Sequence, residues 1–207
     1  MSQVAAKPRA PAKLGRRTKG ASSTTRERLY SPAAFVNLSG KGGGRGSFSS
    51  ETFKIVYQPK KGVDEYVRQV ASATPMQLVE MERFGVIGSL IKDLSKRMEI
   101  PSSRIFTILG IPKATAEMKA AGGKMVAGGG GQAAIGMVKL LGIAQEIVAN
   151  STAIEAKGFD AAKWLGQWIE RPQPSLGGRK PADLLDTPTG AQVVARLLGS
   201  IESGAYQ

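Results

Sequence analysis

The chain has 207 residues, of which 42% are hydrophobic and 6% aromatic, so it can bury a largely aliphatic core. It contains no Cys and no His, which excludes disulfides, thiolate nucleophiles, Ser-His-Asp catalysis and most zinc sites. We therefore expect no enzymatic activity, no cofactor and no metal, and no uncharged apolar run is long enough to predict a membrane span. The lack of Cys also agrees with a reducing, cytoplasmic location.

The net charge of +13 is concentrated near the N-terminus. Residues 1–60 hold 12 Lys and Arg against 2 Asp and Glu, whereas residues 61–207 hold 17 against 14. Residues 1–50 are also broken by prolines and by SGKGGGRGS, which lacks the Lys-Ser or Lys-Thr of a phosphate-binding loop. They are predicted to form a disordered basic arm, typical of a nucleic-acid-binding or a solubilising tail. A transit peptide is a less favoured alternative.

The first ordered elements are predicted between residues 51 and 98. Apolar and polar residues alternate over 51–58, which favours a short strand. Thr74-Pro75 then supplies an N-cap and a first-turn proline, and apolar residues from Val86 to Met98 follow at helical spacing.

Two shorter helices are predicted next, over 101–109 and 113–120, joined by Gly-Ile-Pro at 110–112. This spacing is typical of a helix-turn-helix, whose second helix enters the DNA major groove. An ordinary helix pair is the alternative, because the second helix carries only two cations. The predicted DNA-contacting residues are Lys113, Thr115, Ala116 and Lys119.

A glycine-rich stretch at 121–132 is predicted to be a flexible loop. Its glycine spacing formally matches a dinucleotide-binding motif, but no strand precedes it, so that interpretation is rejected. Residues 133–149 form a helix that is apolar nearly all round, which indicates burial in the core or in a dimer interface.

The last part of the chain is organised by prolines and glycines. An amphipathic helix from Phe159 to Ile169 carries Trp164 and Trp168 as predicted core anchors. Gly177-Gly178 predicts a turn, and Pro181 begins a short helix. After the cap-and-proline pair Thr187-Pro188, the last helix is predicted to bury Val193, Val194, Leu197, Leu198 and Ile201. Such an end is predicted to present Arg179, Lys180 and residues 203–206 to a partner, unless Arg179 satisfies carbonyl groups of its own turn.

The same stretch resembles a known family. A Trp-x-x-x-Trp helix at 164–168, followed by LGGRKPADLLDT at 176–187 and LLGSIESGAY at 197–206, resembles the toxin-binding domain of Xre–ParS–MbcA-type antitoxins. The similarity is specific over 164–206, weaker over 74–121 and absent over 1–60.

The resemblance implies an antitoxin that binds a RES-domain toxin encoded by the adjacent gene. Such toxins resemble ADP-ribosyltransferases and consume NAD, by degrading it or by transferring ADP-ribose. Antitoxins of this type form homodimers, cover the NAD cleft with the C-terminal domain and often repress their own operon through operator DNA. Carried onto this sequence, the toxin-binding candidates are Gly178, Arg179, Lys180, Asp186, Glu202 and Tyr206.

The predicted fold is therefore all-α. A basic arm (1–50) precedes a helix-turn-helix-like domain for DNA binding and dimerisation (51–150) and a small helical toxin-binding domain (151–207). The alternative function is a DNA-binding repressor whose C-terminal domain only dimerises. The glycine-rich loop and the scarcity of Arg on the recognition helix depart from the family and weigh against sequence-specific DNA binding.

Overall fold

The computed structural model describes residues 55–152 and 154–202, apart from the side chains of Glu155 and Glu202. The predicted arm, most of the first predicted strand, and Tyr206 lie outside the described residues. From Ile55 onward, the described residues belong to one compact unit. The all-α prediction is confirmed.

Eight α-helices and one two-stranded ribbon make up the described part of the chain. The helices are α1 (Gly62–Ala71), α2 (Pro75–Phe84), α3 (Gly88–Arg97), α4 (Ser102–Ile108), α5 (Lys113–Ala121), α6 (Gly129–Asn150), α7 (Ala161–Trp168) and α8 (Pro188–Glu202). The ribbon pairs β1 (Val86–Ile87) with β2 (Met125–Val126), and short 3-10 helices cover Pro59–Lys61, Ile154–Ala156, Pro174–Leu176 and Pro181–Leu184.

The core is built around α6, which packs against α1, α2, α7 and α8. Its buried side chains include Ile135, Met137, Leu140 and Leu141, as its all-round apolar sequence predicts. By length and composition alone α6 could also cross a membrane, a property that the core helix of a soluble protein shares. Burial against these four helices accounts for the apolar sequence of α6.

The region predicted as one helix from Thr74 is two helices separated by a strand. The Thr74 cap is confirmed, because its Oγ1 accepts from the Gln77 amide N–H in a full capping box. Gly85 then ends α2 at φ +80°, a conformation that L side chains rarely adopt, and the chain enters β1. The prediction of a continuous apolar helix through Val86 was therefore wrong.

The partner of β1 lies in the stretch predicted to be a flexible loop. Val86 pairs with Val126 and Ile87 with Met125 in antiparallel register. Residues 55–58, predicted to be part of a strand, are instead irregular. The aromatic ring of Tyr57 is buried there, and its hydroxyl donates to Asp93 Oδ2 over 2.7 Å.

Helix α8 packs along α6 and contributes buried residues to the core. Thr187 caps it, since its Oγ1 accepts from the Gly190 N–H at 3.1 Å. Ala191, Val194 and Leu198 are buried, whereas Val193, predicted to be buried, is 41% exposed. The prediction was wrong at Val193 because the neighbouring Val194 holds the inward-facing position on the helix.

The helix α7 is fixed by its cap and by its aromatic residues. Asp160 accepts from the Ala162 and Lys163 N–H groups and from the Arg97 guanidinium, which also binds Asp64 of α1. Burial opposes ionisation of Asp160, but the hydrogen bonds from Arg97 and the backbone leave its pKa lowered. Trp168 is buried and stacks on the half-buried Trp164 with ring centroids 5.8 Å apart.

Candidate functional site

The conspicuous surface feature after α7 is a closed turn of residues 173–180, here called the 173–180 turn. The Gln173 N–H donates to the Arg179 carbonyl and the Gly178 N–H to the Gln173 carbonyl, each over 3.0 Å. Gly177 and Gly178 have φ of +65° and +79°, which a side chain would strain. The turn is thus held by its backbone, independently of the side chains it presents.

Arg179 is the exposed residue at the end of this turn. Its backbone N–H and carbonyl are both bonded within the turn. Its guanidinium makes no hydrogen bond or ion pair with any residue that the structure describes. The alternative that Arg179 satisfies carbonyl groups of its own turn is therefore not supported, and none of its five guanidinium N–H donors is used by a described residue.

Lys180, directly beside it, is in a different environment. Its Nζ lies 3.4 Å from Glu170 Oε2. Glu170 also accepts two hydrogen bonds from Arg104 of α4, at 2.5 Å from Nε and 3.0 Å from Nη2, and Arg104 Nη2 lies 3.8 Å from Asp183 Oδ1. We call these four residues the Arg104 cluster.

The cluster is electrically balanced, with two cations facing two carboxylates. The hydrogen bonds from Arg104 lower the pKa of Glu170, against the opposing effect of partial burial and with help from Lys180. The cluster was not predicted, since Arg104 and Glu170 are 66 residues apart and neither lies in a recognisable motif.

Of the other toxin-binding candidates, only Asp186 is described with its side chain. Asp186 is exposed and adjoins the turn between α4 and α5, since a Cβ added to Gly110 would lie 3.4 Å from the Cβ of Asp186. Glu202 ends α8 but its side chain is outside the described residues, as is the whole of Tyr206. The structure therefore brings together Gly178, Arg179 and Lys180 on one turn.

The DNA-binding candidates lie along α5, from Lys113 in its first turn to Lys119 in its last. Lys113 is exposed, with its Nζ 3.9 Å from Glu117, and Thr115 and Lys119 are half-buried. Ala116 is only 1% exposed, because α5 packs against α3 on that side. The prediction that Ala116 contacts a base was wrong: its methyl group belongs to the core.

These features define an all-α protein with a rigid glycine turn exposed near its C-terminal end. Residues 158–204, which contain α7, the 173–180 turn and all of α8, match the family described as the antitoxin Xre/MbcA/ParS C-terminal toxin-binding domain. The chain is also 35% identical over 134 residues to the "Prs ADP-ribosylating antitoxin" of Sphingobium sp. (strain YBL2), an alignment spanning 65% of this chain and 83% of that relative. The chain belongs to this antitoxin family, and its partner is a toxin.

Proposed function

We propose that this antitoxin inhibits a RES-domain toxin encoded by the adjacent gene, by covering the cleft in which the toxin binds NAD. The observation that carries the proposal is the exposed guanidinium of Arg179, which pairs with none of the described residues and is carried by a closed turn within the matched residues 158–204. The planar fork of Arg pairs bidentately with carboxylates, so an acidic group at the rim of the toxin cleft is the expected contact. A standard interface of about 800 Å² per partner would extend well beyond this turn.

The relative from Sphingobium is named a Prs ADP-ribosylating antitoxin, which connects that protein with ADP-ribosylation. We extend this to the present chain and propose that its toxin transfers ADP-ribose from NAD to a protein, rather than only degrading NAD. The antitoxin would then act in the cytoplasm, where NAD and such a target protein are available.

The test is an assay of the purified toxin with labelled NAD and with Prs as the acceptor. Adding the full-length antitoxin should abolish both NAD loss and labelling of Prs. Labelled free ADP-ribose without labelled Prs would show that the toxin degrades NAD and would refute transfer to Prs. Undiminished NAD loss at saturating antitoxin would refute inhibition itself.

A second proposed function is autorepression, in which a homodimer binds operator DNA through α5. It is supported by the helix-turn-helix arrangement of α4 and α5, with Lys113 exposed at the first position of α5. Exposed Met76 and Val79 on α2 offer apolar surface for dimerisation, which a mass measurement by light scattering would check.

We expect the homodimer to bind an operator duplex more tightly than a scrambled duplex of the same length. Affinity should fall steeply with salt, because each phosphate contact releases counterions. Lys113→Gln should reduce the slope of log K against log salt by about 1 if Lys113 contacts a phosphate. Equal affinity for both duplexes in fluorescence anisotropy would refute sequence-specific repression and leave only polyanion binding by a chain of net charge +13.

A further inference from the structure

We propose that Arg104, on α4, is a positioning residue for toxin binding: it holds Glu170, which holds Lys180, so that the 173–180 turn presents Arg179 alone to the toxin. This inference rests on the proposed function of Arg179. It assigns a role in toxin recognition to a helix outside residues 158–204, the part that matches the toxin-binding domain.

Arg104 contacts both ends of residues 171–182, the segment that contains the 173–180 turn. Glu170 immediately precedes this segment and accepts two hydrogen bonds from Arg104. Asp183 immediately follows the segment and lies 3.8 Å from the same guanidinium. One side chain of α4 therefore connects the end of α7 to the 3-10 helix Pro181–Leu184. The Arg104 and Glu170 side chains are 34% and 29% exposed, so the pair is partly shielded from water.

The cluster also decides which of two adjacent cations is free. Lys180 is held at 3.4 Å from Glu170, whereas Arg179 pairs with no described residue. Without Arg104, the Glu170 carboxylate would lose its bidentate partner and become available to either neighbouring cation. Arg179 could then be captured by its own chain, and the segment would lose the side-chain contacts that Arg104 makes at both of its ends.

The local fold of the turn does not depend on Arg104. Backbone hydrogen bonds close the turn between Gln173 and Arg179, and the Ala182 N–H donates to the Ile169 carbonyl over 2.9 Å. Removing the guanidinium should therefore alter the orientation of the segment and the partner of Arg179, while the chain remains folded. Pre-organisation of this kind improves affinity by lowering the cost of ordering a contact.

The test measures the affinity of the full-length antitoxin for the toxin from the adjacent gene by titration calorimetry. Arg104→Gln should weaken binding about tenfold. Arg104→Lys should restore part of the affinity, because it keeps the charge but not the bidentate geometry. The control is Arg68→Gln, which removes an exposed Arg–Glu pair on α1 and should leave affinity unchanged.

A double-mutant cycle with Arg179→Ala separates positioning from a general loss of stability. If Arg104 acts through Arg179, Arg104→Gln should have little further effect in the Arg179→Ala background. The same tenfold loss in both backgrounds, or no loss from Arg104→Gln alone, would overturn the inference. If Arg104→Gln does not fold, the same cycle with the isosteric Glu170→Gln decides between these outcomes.

The failure of the inference and that of the proposed function can be told apart. A wild-type chain that does not bind the toxin refutes the proposed function. Arg179→Ala with unchanged affinity refutes the role of Arg179, and with it the positioning role of Arg104. A loss from Arg179→Ala without a loss from Arg104→Gln refutes the positioning role alone.

Discussion

Replacing Arg179 by Glu should raise the antitoxin concentration needed to half-inhibit its toxin by about 100-fold, the size of an interface hot spot. The substitution reverses the charge of the guanidinium that the 173–180 turn presents without a partner from the described residues. Against an acidic toxin surface, attraction would become repulsion, while the backbone bonds that close the turn are retained. The measurement is NAD consumption by the toxin at increasing antitoxin concentration.

Arg83→Glu is the matched control. Arg83 is an exposed arginine in the last turn of α2, outside residues 158–204, and its replacement changes the net charge by the same amount. It should leave inhibition unchanged, which would exclude a general electrostatic effect of this basic protein. Equal losses for both variants, or no loss for Arg179→Glu, would contradict a specific contact at the turn.

Replacing Gly190 by Ala should lower the free energy of unfolding by about 3 kcal/mol, at the upper end of the usual cost of overpacking. A Cβ at this position in the first turn of α8 would overlap the carbonyl oxygen of Leu184 and approach Thr187 Oγ1 to 2.8 Å. The start of α8 or the preceding 3-10 helix would have to move, and the Thr187 cap would be disturbed. Thermal unfolding should show a melting temperature lower by about 10 °C.

Gly199→Ala, in the same helix, is the control for this prediction. Among the described residues, no atom lies within 4 Å of the Cβ it would add, apart from its chain neighbours and the backbone of its own helix. Because Ala favours helix over Gly, this variant should be stabilised by about 0.5–1 kcal/mol. A melting temperature for Gly190→Ala equal to that of the wild type would contradict the packing described at Leu184.

The sequence predicted the elements whose causes are local. The cap at Thr74, the proline starts of α2 and α8, and the glycine turn at 177–178 each depend on a few neighbouring residues, and each is confirmed. The location of the candidate site was likewise predictable, because turn glycines and a family motif fall in one short stretch.

The parts that could not be predicted depend on contacts between distant residues. Pairing of β1 with β2 joins segments about 40 residues apart, and two apolar residues beside a glycine carry no strand signal of their own. The partners of Arg104 follow from packing of α4 beside the end of α7, which no local pattern encodes. The burial of Ala116 is set in the same way, by the face that α5 turns toward α3.

Because α8 supplies buried residues to the core around α6, the part of the chain after Glu170 is not an appendage of a separately stable protein. Cutting the chain after Glu170 would expose the apolar face of α6, so a proteolytic nick in this segment would inactivate the whole molecule rather than trim it. Toxin binding, which favours only the folded chain, should in turn slow degradation of the antitoxin. We therefore expect the lifetime of the antitoxin to depend on the presence of its toxin partner.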